Sequence, residues 1–106
     1  MATTVAESFE ELKTRISPDK IKGMNATYQW DITGDGGGKW FVKLADGAVD
    51  IQAGQAEGPN ITITISDENY LDLVSGKLNG QMAFLTGKLK IQGDMTLAMK
   101  LQSILG

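Results

Sequence analysis

Residues 25–53 read NATYQWDITGDGGGKWFVKLADGAVDIQA, and their period decides the fold. Tyr28, Trp30 and Ile32 alternate with Thr27, Gln29 and Asp31. After a glycine-rich turn, Trp40, Val42 and Leu44 alternate with Phe41 and Lys43; after Asp46-Gly47, Val49, Ile51 and Ala53 alternate with Asp50 and Gln52. Successive side chains of a strand point to opposite faces, so a period of two broken by short turns describes an antiparallel meander. Downstream, Ile61, Ile63 and Ile65 alternate with Thr62 and Thr64 as a fourth strand, and Leu89 and Ile91 alternate with Lys88, Lys90 and Gln92 as a short fifth. In each run one set is apolar and the other mostly Thr, Gln, Lys or Asp, the pattern of a sheet packed on one face and wet on the other. All helices must then cover the apolar face. The expected fold is α/β in the α+β sense: two layers, a five-stranded, mostly antiparallel sheet with helices packed on one face.

Outside the meander the period becomes helical. Val5, Phe9, Leu12 and Ile16 recur at helical spacing, and Thr4 with Glu7 forms a capping box, so residues 4–16 read as an amphipathic helix. Ser17 can cap and Pro18 can open a short helix over residues 18–22, which Gly23 ends. Ser66 caps the next helix, Asp67 and Glu68 suit the positive end of its dipole, and Tyr70, Leu71, Leu73 and Val74 supply its apolar side. Residues 79–86 form another short helix and residues 94–105 a last one, capped by Asp94. Two helices between the fourth and fifth strands permit a crossover, so those strands, if neighbours, are expected to run parallel.

A chain of 106 residues is one domain, residues 1–106. It contains no cysteine and no histidine. Disulfides, thiolate zinc sites and every histidine-assisted nucleophile are thereby excluded, and neither enzymatic activity nor a cofactor is expected. The opening MATTVAESFEELK is polar, no run approaches the length of a membrane span, and the final Ser-Ile-Leu-Gly is not a peroxisomal address, so a cytoplasmic location is expected. Net charge is −3, unevenly spread: residues 1–76 carry six basic and twelve acidic groups, whereas residues 77–106 carry Lys77, Lys88, Lys90 and Lys100 against Asp94. An acidic whole argues against nucleic acid as a partner. The basic end either is simply solvated or favours an anionic headgroup or a transient membrane contact.

Several local motifs fail on their context. Gly34-Asp35-Gly36-Gly37-Gly38-Lys39 resembles a phosphate loop, but no Ser or Thr follows the lysine and it joins two strands instead of opening a helix; a flexible hairpin tip accounts for it. Asp31, Thr33 and Asp35 echo a calcium loop whose twelfth position is Val42, where a glutamate belongs. Trp30 and Trp40, on alternating strands, read as core before they read as stacking platforms.

The segment NGQMAFLTGKLKIQGDMTLAMKLQSILG (residues 79–106) is different. Leu97, Leu101, Ile104 and Leu105 form one helical stripe, and Met95, Ala98 and Met99 widen it. A helix apolar over so wide an arc is either deeply buried or covers an apolar space. Methionine suits a lining that adapts to its contents. An empty cavity of about 400 Å³ would cost roughly 10 kcal/mol at ~24 cal/mol per Å³, comparable to the whole stability of a domain, so such a space should hold a ligand or partly collapse.

The run GKLKIQGDMTLAMKLQSIL (Gly87–Leu105), with ISDENYLDLVSGKLNGQMAFLTG before it and the NATYQWDIT and GKWFVKL segments, strongly resembles the sterol carrier protein type 2 family over nearly the whole chain. The resemblance implies a stand-alone lipid-binding domain: non-enzymatic binding and transfer of a fatty acid, fatty acyl-CoA or sterol in an apolar tunnel between the sheet and the C-terminal helix. By similarity, Trp30, Gln81, Met82, Leu85, Met95, Met99, Gln102 and Leu105 are the lining candidates, with Gln81 and Gln102 as the polar contacts. The alternative is a protein–protein interaction module that docks a partner on the apolar C-terminal helix.

Overall fold

The structure is a computed structural model; it describes residues 4–16 and 18–105, and of residues 15, 18, 20 and 101–105 the backbone alone. The expected Ser17 cap lies outside the described residues. In chain order the elements are α1 (Val5–Arg15), α2 (Pro18–Ile21), β1 (Asn25–Thr33), β2 (Gly38–Ala45), β3 (Ala48–Ala53), β4 (Ile61–Ser66), α3 (Asp67–Val74), α4 (Gly80–Leu85), β5 (Leu89–Gly93) and α5 (Met95–Leu105). The caps act as the sequence indicates. Thr4 Oγ1 accepts from the Glu7 amide at 3.2 Å, Ser66 Oγ from the Asn69 amide at 3.2 Å, and Asp94 Oδ1 from the Thr96 amide at 2.8 Å. Each satisfies a first-turn donor that the helix itself leaves open.

The sheet has the order β3-β2-β1-β4-β5. Strands β1, β2 and β3 form the expected antiparallel meander, with Trp30 opposite Trp40 and Val42 opposite Ile51. The parallel pair in the sheet is β1–β4, with Trp30 level with Ile63. The apolar face of all five strands points at the helices. Tyr28, Trp30, Ile32, Val42, Leu44, Ile51, Ile61, Ile63, Ile65 and Leu89 are buried there together with Phe9, Leu12, Ile16 and Ile21 from α1 to α2, Tyr70 of α3 and Ala83 of α4.

Two expectations are corrected. Strands β4 and β5 are neighbours but antiparallel, Ile65 pairing with Leu89 and Ile61 with Gly93. A parallel β5 would have to re-enter the sheet beside Ile61, roughly 20 Å down the length of β4 at ~3.3 Å per residue. The chain instead turns straight from Ser66 into α3, reverses through Leu78, whose amide bonds Asp72 O at 3.0 Å, and re-enters at the end where it left. The second correction concerns the face away from the helices, which is not wet throughout. Residues 54–60 carry the chain from β3, at one edge, past β2 and β1 to β4, and they cross over that face. Gln29 lies beneath them, fully buried. Its Oε1 accepts from the Ala56 amide at 2.7 Å, and its Nε2 donates to the Gly54 and Trp40 carbonyls at 3.2 Å each. A polar side chain at a strand position that alternation marks as solvent-facing is thus the staple of the crossover.

The glycine-rich turn between β1 and β2 is also more tightly held than a free hairpin tip. The Gly36 amide donates to Asp67 Oδ2 at 2.9 Å, while Asp67 Oδ1 accepts from the Glu68 amide at 2.8 Å, tying the turn to the start of α3. At the end of β5, Gly93 has φ +117, and a Cβ there would lie 2.5 Å from Asn60 O. No larger residue fits this approach of β5 to β4 without moving backbone.

Candidate functional site

The surface that stands out belongs to α4, β5 and α5. α4 starts at Asn79, whose Oδ1 accepts from the Gln81 and Met82 amides at 2.9 and 3.2 Å. Only Ala83 is sunk into the core, so the helix is rooted by one small side chain. Met82, Phe84 and Leu85 are left exposed. α5 begins at the far end of β5 and packs on β4 and β5 through half-buried Leu97 and Ala98, which leaves Met95 and Met99, one turn apart, facing outward. Exposure of these five apolar side chains runs from 41% at Phe84 to 79% at Met99, and they are the exposed large hydrophobics among the described residues. Among the described side chains of the C-terminal helix, Met95 and Met99 are therefore not absorbed by the core. Leu71, Leu73, Val74, Leu78 and Ile91 are half-buried and pack against the core.

Tyr28 fastens α5 to the sheet: its hydroxyl donates to Leu97 O at 2.9 Å. Burial, and then the negative charge of Asp94, push this hydroxyl up from 10.0 to about 12, so it stays a protonated donor at neutral pH. A second buried tyrosine closes the opposite end of the helix layer. The Tyr70 hydroxyl lies 2.8 Å from Ser8 Oγ, which also donates to Val5 O at 2.6 Å. Burial holds Tyr70 well above the ordinary tyrosine range, although the Ser8 hydrogen bond pulls the other way.

The lining candidates separate into three groups. Met82, Leu85, Met95 and Met99 fall on the exposed surface of α4 and α5, with Gln81 exposed in the first turn of α4. Trp30 is elsewhere, in an aromatic cluster under α1 and α3, edge-on to Phe9 at 6.3 Å and to Tyr70 at 5.2 Å, while Phe9 stacks on half-buried Trp40 at 4.9 Å. The side chains of Gln102 and Leu105 lie outside the described residues. Two residues of the site were not among the candidates. Phe84 sits between Met82 and Leu85 and shares their exposure, which the run MAFL already signals. Tyr28 reads from alternation as plain core, and no local signal announces its bond to α5. Among the described residues no cluster of three or more carboxylates is placed to hold a metal ion, and no helix is long and apolar enough to cross a membrane.

Fold and site together define a two-layer α+β domain, with a sheet covered on one face by helices, whose α4 and α5 present an open apolar surface. The chain belongs to the SCP-2 sterol transfer family, which it matches over residues 7–106. The sterol carrier protein domain 2 of Helicoverpa armigera superposes with a TM-score of 0.80 at 36% identity, covering 95% of this chain and 84% of that one. A palmitated sterol carrier protein 2-like protein from Aedes aegypti superposes with a TM-score of 0.79 at 28% identity, covering 97% of this chain and 95% of that one. The hydroxysteroid dehydrogenase-like protein 2 of Bos taurus is 36% identical over 102 residues, which are 95% of this chain but 24% of that protein.

Proposed function

We propose that this chain is a non-enzymatic, cytoplasmic lipid carrier that holds a fatty acid, fatty acyl-CoA or sterol in an apolar tunnel between the sheet and α5 and exchanges it during transient contact with a membrane. The observation that carries the reading is the exposed apolar surface of α4 and α5, which a solvated protein leaves uncovered at a cost unless something apolar uses it. The Aedes aegypti relative, of nearly the same extent, is palmitated, which makes a long acyl chain a concrete ligand to test. Met82, Leu85, Met95 and Met99 form the wall at the mouth, with Gln81 beside them to orient a polar head, while Trp30, packed on Phe9 and Tyr70, stands apart from this wall. Three of the wall residues are methionines, whose unbranched, polarisable side chains conform to ligands of different shape. A sixteen-carbon chain gains about 12 kcal/mol on leaving water, at ~0.8 kcal/mol per CH₂. A bilayer offers the same gain, so the advantage of the carrier over the membrane is small and transfer is reversible.

The same exposed surface suits a protein–protein interaction module docking a partner on α5, and lipid binding decides between the two. Native mass spectrometry of the freshly purified protein, followed by lipid extraction, is the test. A bound mass released as fatty acid, acyl-CoA or sterol supports the carrier. An apo mass unchanged after incubation with palmitate and palmitoyl-CoA sinks it in favour of the interaction module.

A further inference from the structure

We propose that Met82, Met95 and Met99 form a reversible oxidation site through which hydrogen peroxide switches off lipid binding at the α4–α5 surface. The switch rests on the carrier reading, whereas the oxidation itself rests on exposure and sulfur chemistry. The chain has five methionines and no cysteine, so thioethers are the only sulfur that peroxide meets. Exposure then ranks them. Met99 is 79% exposed, Met82 54% and Met95 46%, whereas Met24 is half-buried and packs against the core. All three exposed methionines fall on α4 and α5, the helices of the wall, and Met95 and Met99 lie one helical turn apart.

The step is a two-electron oxidation. A lone pair on methionine Sδ attacks one peroxide oxygen, and the S–O bond forms as the O–O bond breaks. The second oxygen takes up the proton of the first and leaves as water. Sulfur is oxidised, peroxide is reduced, and a flexible apolar side chain becomes a polar one with an acceptor oxygen. In the ligand-free protein, water satisfies that oxygen. An acyl chain has no hydrogen-bond donor to offer, so a sulfoxide that it covers loses its water without replacement. At about tenfold in affinity for each covered sulfoxide, two of them cost roughly a hundredfold. The fold is spared, because none of the three anchors its helix: α4 is rooted by Ala83, and the described side chains of α5 meet the core through Leu97 and Ala98. Phe84 and Leu85, exposed on the same helix as Met82, contain no sulfur and keep their character. The change is undone by methionine sulfoxide reductases, one for each sulfoxide epimer, which remove the oxygen as water with electrons from a thiol.

The test treats the full chain with hydrogen peroxide and removes the excess with catalase. Peptide mass spectrometry then locates the added oxygen, and calorimetry measures the affinity for palmitate, which is saturated and does not itself react. Oxygen is expected at Met82, Met95 and Met99 before Met24, with the far-UV circular dichroism unchanged. The palmitate affinity of wild type should fall about tenfold or more. The M82L/M95L/M99L variant, whatever its starting affinity, should bind palmitate equally before and after peroxide, although it keeps Met1 and Met24. The M24L variant should lose affinity on oxidation as wild type does. Methionine sulfoxide reductases of both epimer specificities, with dithiothreitol, should restore wild type. Oxygen that enters Met24 as fast as the exposed three overturns the inference, and so does a triple variant that still loses affinity or a loss that the reductases do not reverse. Dichroism lost together with affinity also overturns it, because the fold and not the wall is then the target. Reduced and oxidised wild type binding palmitate equally overturns the switch alone, whereas a reduced wild type that binds no palmitate overturns the carrier reading and the switch with it.

Discussion

Replacing Gln29 by Met keeps the length and shape of the side chain but removes all its hydrogen bonding, which isolates the polar staple under the crossover. Besides the longer contacts of Nε2 to Asp31 Oδ1 at 3.3 Å and Trp30 O at 3.5 Å, three contacts disappear: Oε1 from the Ala56 amide at 2.7 Å, and Nε2 to the Gly54 and Trp40 carbonyls at 3.2 Å. Each is worth ~1 kcal/mol net, and the buried Ala56 amide left without its acceptor adds ~1–3 kcal/mol. The expected loss is about 4 kcal/mol, a large share of a total stability of ~5–15 kcal/mol. At ~4–8 °C per kcal/mol, the melting temperature should fall by roughly 15–30 °C. Urea unfolding followed by far-UV circular dichroism measures this, with an unchanged m-value showing that both proteins expose the same surface on unfolding. Because the crossover lies on the face away from α4 and α5, palmitate affinity at a temperature where both proteins are folded should be unchanged. A loss below about 1 kcal/mol would mean that residues 54–60 stay on the sheet by other contacts, and that the hydrogen bonds of Gln29 merely accompany them.

Further outcomes follow from other parts of the structure. Gly93→Ala should destabilise by about 2–4 kcal/mol, since φ is +117 and the new Cβ would meet Asn60 O at 2.5 Å; a thermal melt within a degree of wild type would refute the close approach of β5 to β4. The Leu85→Asp/Met99→Asp pair should leave the melt within about 1 kcal/mol, because both positions are exposed, yet weaken palmitate binding tenfold or more by placing charge on the apolar wall. Equal palmitate affinity in a calorimetric titration would remove these residues from the site. Alkaline stability should also respond. Tyr28 in the folded protein is raised to about 12 from 10.0, and Tyr70 is raised too, so the unfolded chain gives up these protons first. Their contribution is whole below pH 10 and is lost as pH rises from 10 through about 12. Denaturant midpoints measured across that window should fall, and Tyr28→Phe should shallow the fall; an identical slope in the variant would contradict the burial of the Tyr28 hydroxyl near Asp94.

What the sequence determines here is what depends on near neighbours along the chain. Alternation in Asn25–Ala53, in ITITI and in LKI assigns each strand and its apolar face, because side-chain direction repeats every two residues wherever the strand lies. Thr4, Ser66 and Asp94 mark helix starts because a cap bonds an amide two or three residues on. The surplus of apolar side chains in residues 79–106 is equally visible, and with it most of the candidate site. Only the tertiary structure decides contacts between segments far apart in sequence. It sets β5 antiparallel to β4, because α3 and α4 return the chain to the end of the sheet it left. It buries Gln29, because a connection of residues 54–60 happens to cross that strand. It joins Tyr28 to Leu97, sixty-nine residues away. And it leaves Met82, Phe84, Leu85, Met95 and Met99 outside the core, because α4 is rooted through Ala83 and the described side chains of α5 meet the core through Leu97 and Ala98. Period alone could not separate a deeply buried helix from one bordering an apolar space; which side chains the neighbouring strands have room to cover is a property of the packed fold.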